Sequence, residues 1–151
     1  MIKTSYFAKY KENDGVSIAA KSPEWFKGES YKALAPSWSI LGNYKSSNQT
    51  LLDQEIYERR FRNVILVKLD PIQVARDLEG KVLLCYEKFG FCHRFIVTAW
   101  LKETLNIDVV EVEWIAEIYE SYLMINHEFG NCKKSGEACR RGERTYWFDF
   151  K

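Results

Sequence analysis

The sequence predicts an α/β fold: a single compact domain with a mainly parallel or mixed sheet flanked by helices, in a Rossmann-like three-layer arrangement. Apolar segments of strand length alternate along the chain with longer segments of helical periodicity, an order that places helices against a sheet. The chain of 151 residues is long enough to bury one core, and it contains no repeat, low-complexity tract or Pro/Gly-rich linker. We therefore expect residues 1–151 to form one domain.

The strands are predicted from alternation and from short apolar runs. Residues 2–7 alternate as a half-buried strand does, and the turn signal Asn13-Asp14-Gly15 separates them from a second short strand. Residues 82–85 are continuously apolar, which is typical of a buried parallel strand. The predicted strands are residues 2–7, 16–19, 82–85, 108–114 and 145–150.

The helices are predicted from capping residues and from apolar positions at helical spacing. Thr50 and Asp53 suit a helix start, because a hydroxyl cap and a nearby carboxylate satisfy free backbone N–H groups. Asp70 and Pro71 start the next helix, which is expected to end at Gly80. Two more helices are predicted, over residues 91–105 and 115–127. The first helix is expected to face the core with Leu52, Ile56, Phe61 and Ile65.

Residues 22–44 resist a regular assignment, since they contain two prolines, two glycines and two tryptophans. We expect a long packed loop here, and loops of this length in compact domains are often functional. The sequence leaves open whether this segment covers a site.

Composition narrows the class of protein. The chain is 46% hydrophobic and 28% charged, which is too apolar for disorder and too charged for a membrane protein. No apolar run approaches the ~18 residues of a membrane span, and residues 1–6 lack the apolar region of a signal peptide. We therefore expect a cytoplasmic protein with no membrane partner. The net charge of +1 argues neither for nor against a polyanionic partner. The sequence does not predict the oligomeric state.

The four cysteines are expected to be free thiols rather than disulfides, because the chain is expected to be cytoplasmic. Cys85 and Cys92, like Cys132 and Cys139, have six residues between them, a longer spacing than that of common zinc knuckles. We accordingly predict no cofactor and no metal. The alternative is a structural metal site of Cys85, Cys92, His93 and one of the two later cysteines.

Residues 85–94 form the segment in which we expect a functional site. Cys85 ends a predicted buried strand, and Cys92, His93 and Arg94 fall in the first turn of the next predicted helix. A helix N-terminus offers unpaired N–H groups and about half a positive charge, so it binds anions and lowers the pKa of a nearby thiol. Arg94 and Lys88 add full positive charges.

The residue types in this segment suit catalysis. Cys85 or Cys92 is a candidate nucleophile, Glu87 or His93 a candidate base, and Arg94 a candidate anion clamp. Each has a simpler interpretation: Cys85 as a buried inert thiol, Glu87 as a solvated carboxylate, His93 as a helix cap and Arg94 as a surface ion pair. The cluster together favours a site.

The same residues carry a family resemblance. Residues 83–87 (Leu-Leu-Cys-Tyr-Glu) followed by residues 91–94 (Phe-Cys-His-Arg) resemble the signature of the family called "domain of unknown function 488". Residues 4–7, 34–37 and 113–114 are similar to segments of one of its subgroups. The resemblance implies a small α/β fold with the cysteine motif as its site, and it implies no particular reaction. The Asp-x-Arg segment of many members is absent from this chain.

Further candidates lie outside the motif. Ser5 and Tyr6 end the first strand and would lie beside Cys85 if the two strands were neighbours. Glu111 and Glu113 are two residues apart along a later strand, so both are expected to face the same side, from which one could reach the site. Solvated edge carboxylates are the alternative. The candidate substrate-binding residues are Ser5, Tyr6, Lys88 and Glu113.

A basic stretch near the C-terminus is a candidate nucleic-acid-binding segment. Positive side chains outnumber negative ones there, and two aromatic residues follow closely, so the stretch suits phosphate contacts and base stacking. The alternative is a solvated hairpin. The candidate residues are Lys133, Lys134, Arg140 and Arg141.

These observations favour an enzyme, of the hydrolase type, that acts on a nucleotide or nucleic acid or on another phosphorylated small molecule. Glu87 would be a general acid/base, and Cys85 or Cys92 a nucleophile or orienting group. The motif does not separate glycosidic chemistry at Glu87 from thiol chemistry at Cys85. The alternative is a non-catalytic protein that binds an anion or nucleic acid with the same pocket and the basic C-terminal hairpin.

Overall fold

The computed structural model of the chain describes residues 1–112. The predictions made for later residues therefore lie outside the described part. They are the helix over 115–127, the strand over 145–150, Cys132, Cys139, Glu113, Lys133, Lys134, Arg140 and Arg141.

The described residues form an α/β fold around a five-stranded sheet in which every strand pairing is parallel. The strand order is β3-β2-β4-β1-β5, so β4 lies at the centre. The strands are β1 (Lys3–Tyr6), β2 (Gly15–Ser17), β3 (Glu29–Ser30), β4 (Val82–Cys85) and β5 (Val110–Glu111). The predicted α/β class and the buried parallel strand at 82–85 are both confirmed.

Four helices accompany the sheet within residues 1–112, with single 3₁₀ turns at Lys32–Leu34 and Leu66–Lys68. They are α1 (Trp38–Ser46), α2 (Leu51–Val64), α3 (Pro71–Asp77) and α4 (His93–Leu105). Thr50 and Asp53 form a reciprocal capping box on α2, and Asp70 caps α3 with Pro71 in its first turn. Both predicted helix starts are therefore confirmed, although α3 ends at Asp77 rather than at Gly80.

The prediction of a long loop over residues 22–44 was wrong, since this segment contains β3, a 3₁₀ turn and most of α1. The Oγ atom of Ser37 accepts a hydrogen bond from the backbone N–H of Ile40, which caps α1, and the Ile40 side chain is buried. Pro36 precedes this cap, so it does not interrupt the helix.

The predicted buried face of α2 was partly wrong. Tyr57 and Phe61 are the buried residues of this helix, whereas Leu52 is 64% exposed and Ile56 is 37% exposed. The ring of Tyr57 stacks on that of Phe61, its neighbour one turn along, and also packs against Phe91. The aromatic side chains of α2 therefore face the core, in place of Leu52 and Ile56.

Two clusters of buried side chains cover the sheet. Leu83 belongs to one cluster and Val82 and Leu84 to the other, because successive side chains of a strand point to opposite faces. Within the described residues the helices bury their apolar side chains in the Leu83 cluster. Each helix among residues 1–112 is too short or too polar to cross a bilayer.

Candidate functional site

The candidate site lies where β4 ends and α4 begins. Cys85 is the last residue of β4, and Cys92 occupies the N-cap position of α4 with an extended backbone (φ −148°, ψ 140°) and no capping hydrogen bond from its side chain. Gly90 has φ +81°, a conformation that favours glycine, and it lets the chain turn back from the strand into the helix. Since β4 is central, the site lies at the carboxyl ends of parallel strands, where such sheets bind ligands.

Both thiols contact one carboxylate oxygen. The Sγ atoms of Cys85 and Cys92 each lie 3.2 Å from Oε2 of Glu87, to which they donate hydrogen bonds. Both cysteines are unoxidised and only 3% exposed. The structure thus brings together three of the residues that the sequence analysis singled out.

His93 completes the cluster. Its Nε2 atom lies 2.9 Å from the carbonyl oxygen of Ile18, and its Nδ1 atom lies 3.6 Å from Sγ of Cys85. A carbonyl oxygen only accepts hydrogen bonds, so Nε2 carries a hydrogen, and the tautomer with this one hydrogen has a lone pair at Nδ1. The imidazole is buried and packs against the ring of Phe61.

The two thiols have opposite acidities. When the Cys85 thiol turns its one hydrogen from Glu87 to the Cys92 sulfur, this hydrogen bond and the nearby imidazole of His93 lower the pKa of the Cys92 thiol, against the effect of burial. The hydrogen bond with Cys92 and burial raise the pKa of Cys85 well above its ordinary value. Burial opposes ionisation of Glu87, but hydrogen bonds from the two thiols outweigh it and lower the pKa of this carboxyl. Ionisation of Glu87 is thus favoured, and Cys92 is the more acidic of the two thiols.

Arg94 has a different role from the anion clamp that the sequence suggested. The side chain is 1% exposed, and its nitrogens donate to Oε2 of Glu111, to the carbonyl oxygen of Glu87 and to that of Lys88. These partners leave the guanidinium without an open face for an anion, so that interpretation was wrong. Arg94 instead holds the backbone of the loop that carries Glu87.

A cavity of about 380 Å³ opens beside the cluster. Cys85, Glu87 and His93 form part of its wall, as do the cationic residues Lys21 and Lys45. The remaining wall residues are Ala19, Ala20, Pro36, Trp38, Leu41 and Tyr86. The cavity therefore joins reactive groups, positive charge and exposed aromatic rings.

The other predicted site residues that the structure describes lie apart from this cavity. Tyr6 pairs in register with Cys85 and Ser5 with Leu84, so β1 and β4 are indeed neighbours, but neither side chain lines the cavity. Lys88 is exposed, and its Nζ atom lies 4.6 Å from the centroid of the Phe89 ring. Among the described residues, the carboxylate that reaches the motif is that of Glu111, which also accepts a hydrogen bond from Thr4.

Three residues of the cavity wall, Lys21, Trp38 and Lys45, were not among the predicted site residues. All three lie in or next to the segment 22–44, for which a loop was predicted. The pair of prolines and tryptophans there marked the segment as unusual, but only the fold brings it to the end of β4. A lysine in a bend after a strand and another on the exposed side of a helix carry no signal of their own in one sequence.

Comparison of the chain with protein-family models, with curated proteins and with solved structures gave no match. The resemblance to the "domain of unknown function 488" family therefore stays a prediction from the motif residues.

Proposed function

We propose that this protein is an enzyme that acts on a nucleotide or nucleic acid, with the cavity beside β4 as its binding site and Glu87 as its general acid/base. One observation carries the proposal: a single cavity is lined by Glu87, by a thiol and an imidazole, and by two lysines. A set of titratable groups in a cleft, with partners that shift their pKa values, is the usual signature of an active site.

The wall of the cavity supports this class of ligand. A volume of about 380 Å³ suits one nucleotide unit rather than a large molecule. The ammonium groups of Lys21 and Lys45 would bind phosphate oxygens as point charges. Trp38 is 66% exposed, so its ring is available to stack on a base.

The position of Glu87 supports an acid/base role. Its carboxylate is partly buried at the cavity wall, and hydrogen bonds from Cys85 and Cys92 fix the orientation of one oxygen. Arg94 donates hydrogen bonds to the carbonyl oxygens of Glu87 and Lys88, and these bonds hold the backbone of the loop in place. A fixed, partly desolvated carboxylate facing a ligand is suited to proton transfer in a hydrolytic reaction at a glycosidic or phosphate centre.

The binding part of the proposal is tested by tryptophan fluorescence. The purified protein is titrated with a nucleoside monophosphate and with the matching nucleoside. We expect quenching that saturates, that is stronger for the phosphorylated ligand and that disappears in Trp38→Phe. Lys21→Gln and Lys45→Gln should weaken binding, whereas Lys27→Gln, an exposed lysine away from the cavity, should not.

The catalytic part is tested by product analysis. Wild type and Glu87→Gln are incubated with nucleotides and with single-stranded DNA or RNA, and products are separated by chromatography. We expect turnover by wild type and its loss in Glu87→Gln with binding retained. Saturable binding without turnover would instead identify a non-catalytic binding protein, and the absence of saturable quenching would reject the proposed ligand class.

A further inference from the structure

Three side chains of the cluster have the chemistry and spacing of metal ligands. The Sγ atoms of Cys85 and Cys92 and a ring nitrogen of His93 all lie within 4.8 Å of one another. Zinc binds sulfur at about 2.3 Å and imidazole nitrogen at about 2.0–2.1 Å, so tetrahedral geometry places these two atoms about 3.6 Å apart. The distance from Sγ of Cys85 to Nδ1 of His93 is 3.6 Å.

The imidazole is oriented as metal-binding imidazoles are. Metal-ligating histidines usually donate their second ring N–H to a carbonyl or carboxylate, which fixes the tautomer and aims the other nitrogen at the metal. Nε2 of His93 makes such a contact with the carbonyl oxygen of Ile18 at 2.9 Å. This contact comes from a residue far away in sequence, so it is a second observation, independent of the spacing of the two thiols.

The surroundings favour a cation. Cys85 and Cys92 are buried and converge on the same oxygen of Glu87, so three groups that are negative when ionised share one small volume. A divalent ion between them would neutralise this charge and take both sulfurs as thiolates. Soft thiolate and imidazole donors select zinc over magnesium or calcium.

We propose that Cys85, Cys92 and Nδ1 of His93 bind one Zn²⁺ ion, with the fourth coordination position directed toward the cavity. Cys85 and His93 both line that cavity, as Glu87 does. Three protein ligands with a position open to solvent or substrate are typical of a catalytic rather than a structural zinc site. This goes beyond the proposed nucleotide site, because metal binding requires no nucleotide.

The chain offers matched controls for each ligand. It has two cysteines besides the proposed pair, Cys132 and Cys139, and one histidine besides His93, namely His127. The full-length protein is stripped of metal with a chelator under reducing conditions and titrated with Co²⁺, whose thiolate charge-transfer band reports cysteine coordination. Zn²⁺ is then added to displace the Co²⁺.

We expect a band that saturates at one equivalent of Co²⁺ and is removed by Zn²⁺. The affinity for Co²⁺ should fall steeply in Cys85→Ser, Cys92→Ser and His93→Gln, and the band should also weaken in the two cysteine variants, each of which loses one thiolate. Affinity and band should both be unchanged in variants of the three control residues. No band in wild type, or its loss when Cys132 or Cys139 is replaced, would overturn the three-ligand site. Circular dichroism of the metal-free variants shows whether a variant has lost only a metal-binding side chain or has lost its fold. The wild-type titration tests the site without any variant. Nucleotide quenching of Trp38 is measured on the metal-free and the loaded protein, so that failure of either proposal is seen by itself.

Discussion

Nε2 of His93 lies 2.9 Å from the carbonyl oxygen of Ile18, and this contact fixes the orientation of the imidazole in the candidate site. Ile18 follows β2, whereas His93 is the first residue of α4, so the hydrogen bond ties the start of that helix to the neighbouring strand. With Nε2 engaged, Nδ1 faces the sulfur of Cys85. The fold thus decides which nitrogen is free for chemistry.

Replacement of Glu87 should separate ligand binding from chemistry. In Glu87→Gln we expect the cobalt charge-transfer band to persist, because the two sulfurs and the imidazole remain, while turnover falls by about 10²–10⁴-fold with the loss of an acid/base group. Cobalt titration and product analysis of the same preparation check this. A variant that turns over at the wild-type rate would remove Glu87 from the reaction.

Trp38 should contribute to ligand binding through stacking. Trp38→Ala is expected to lose about 1–3 kcal/mol of binding free energy, the usual contribution of a base stacked on an aromatic ring. Trp25 is a matched control, because it is 53% exposed and lies away from the cavity wall. Calorimetric titration of Trp38→Ala and Trp25→Ala with a nucleoside monophosphate measures both. Equal affinities would contradict the proposed ligand position.

Arg94 should matter for stability far more than an exposed arginine does. Arg94→Met removes the cation that pairs with Glu111, whose carboxylate keeps its hydrogen bond from Thr4, and it takes a donor from two carbonyl oxygens. Because a largely buried carboxylate is left without its cation, we expect the free energy of unfolding to fall by about 3–5 kcal/mol. Arg62, whose side chain is 28% exposed, pairs with Glu58 and Glu103 near the surface, and Arg62→Gln should cost about 0–1 kcal/mol. Urea unfolding of the two variants gives the comparison, and similar losses would argue against a buried structural role for Arg94.

Two glycines should respond oppositely to the same substitution. Gly42 lies inside α1 with open space around it, so Gly42→Ala should raise the free energy of unfolding by about 0.5–1 kcal/mol. Gly90 has φ +81°, and a side chain there is strained even though space is open, so Gly90→Ala should lower it by about 1–2 kcal/mol. Chemical denaturation measures both changes. A stabilising Gly90→Ala would mean that the turn into α4 differs from the one described.

The capping box of α2 should make stability depend on acid pH. Hydrogen bonds from the side chain and the backbone N–H of Thr50 lower the pKa of Asp53 below its unfolded value. The folded state therefore favours the ionised carboxylate, and this contribution is present above the unfolded pKa and lost as the pH falls through the folded pKa. The free energies of unfolding of wild type and Asp53→Asn, measured at a series of acid pH values, should converge as the pH drops. A difference that is constant with pH would contradict the reciprocal cap.

Local signals predicted much of the fold. The capping pairs Thr50 with Asp53 and Asp70 with Pro71 mark helix starts by chemistry that acts within four residues, and both are where the sequence placed them. The apolar run at 82–85 predicted a buried parallel strand, because a strand that is covered on both faces is apolar at every position. Residues 22–44 were misassigned because their helix, α1, depends on one buried isoleucine and a serine cap rather than on a long apolar stripe.

The sequence predicted which segment contains the site but not how the side chains of the site are arranged. Proximity in sequence brought Cys85, Glu87, Cys92 and His93 to attention, and the strand-to-helix turn does bring them together. The burial of Arg94, however, depends on Glu111 in β5, which one sequence does not reveal as its partner. The lysines and the tryptophan of the cavity wall likewise meet the motif only through tertiary structure.

The Cys/Glu/His cluster and the cavity are proposed to form one ligand site, and the most direct measurement of this follows the ring signals of His93. The chain has two histidines, so long-range ¹H–¹⁵N spectra resolve both rings, and His127→Gln assigns them. We predict that His93 carries its hydrogen on Nε2 and that its ring signals shift on addition of a nucleoside monophosphate, with the same affinity as the quenching of Trp38. Ring signals of His93 that stay unchanged while Trp38 is quenched would place the ligand away from the cluster and contradict the account.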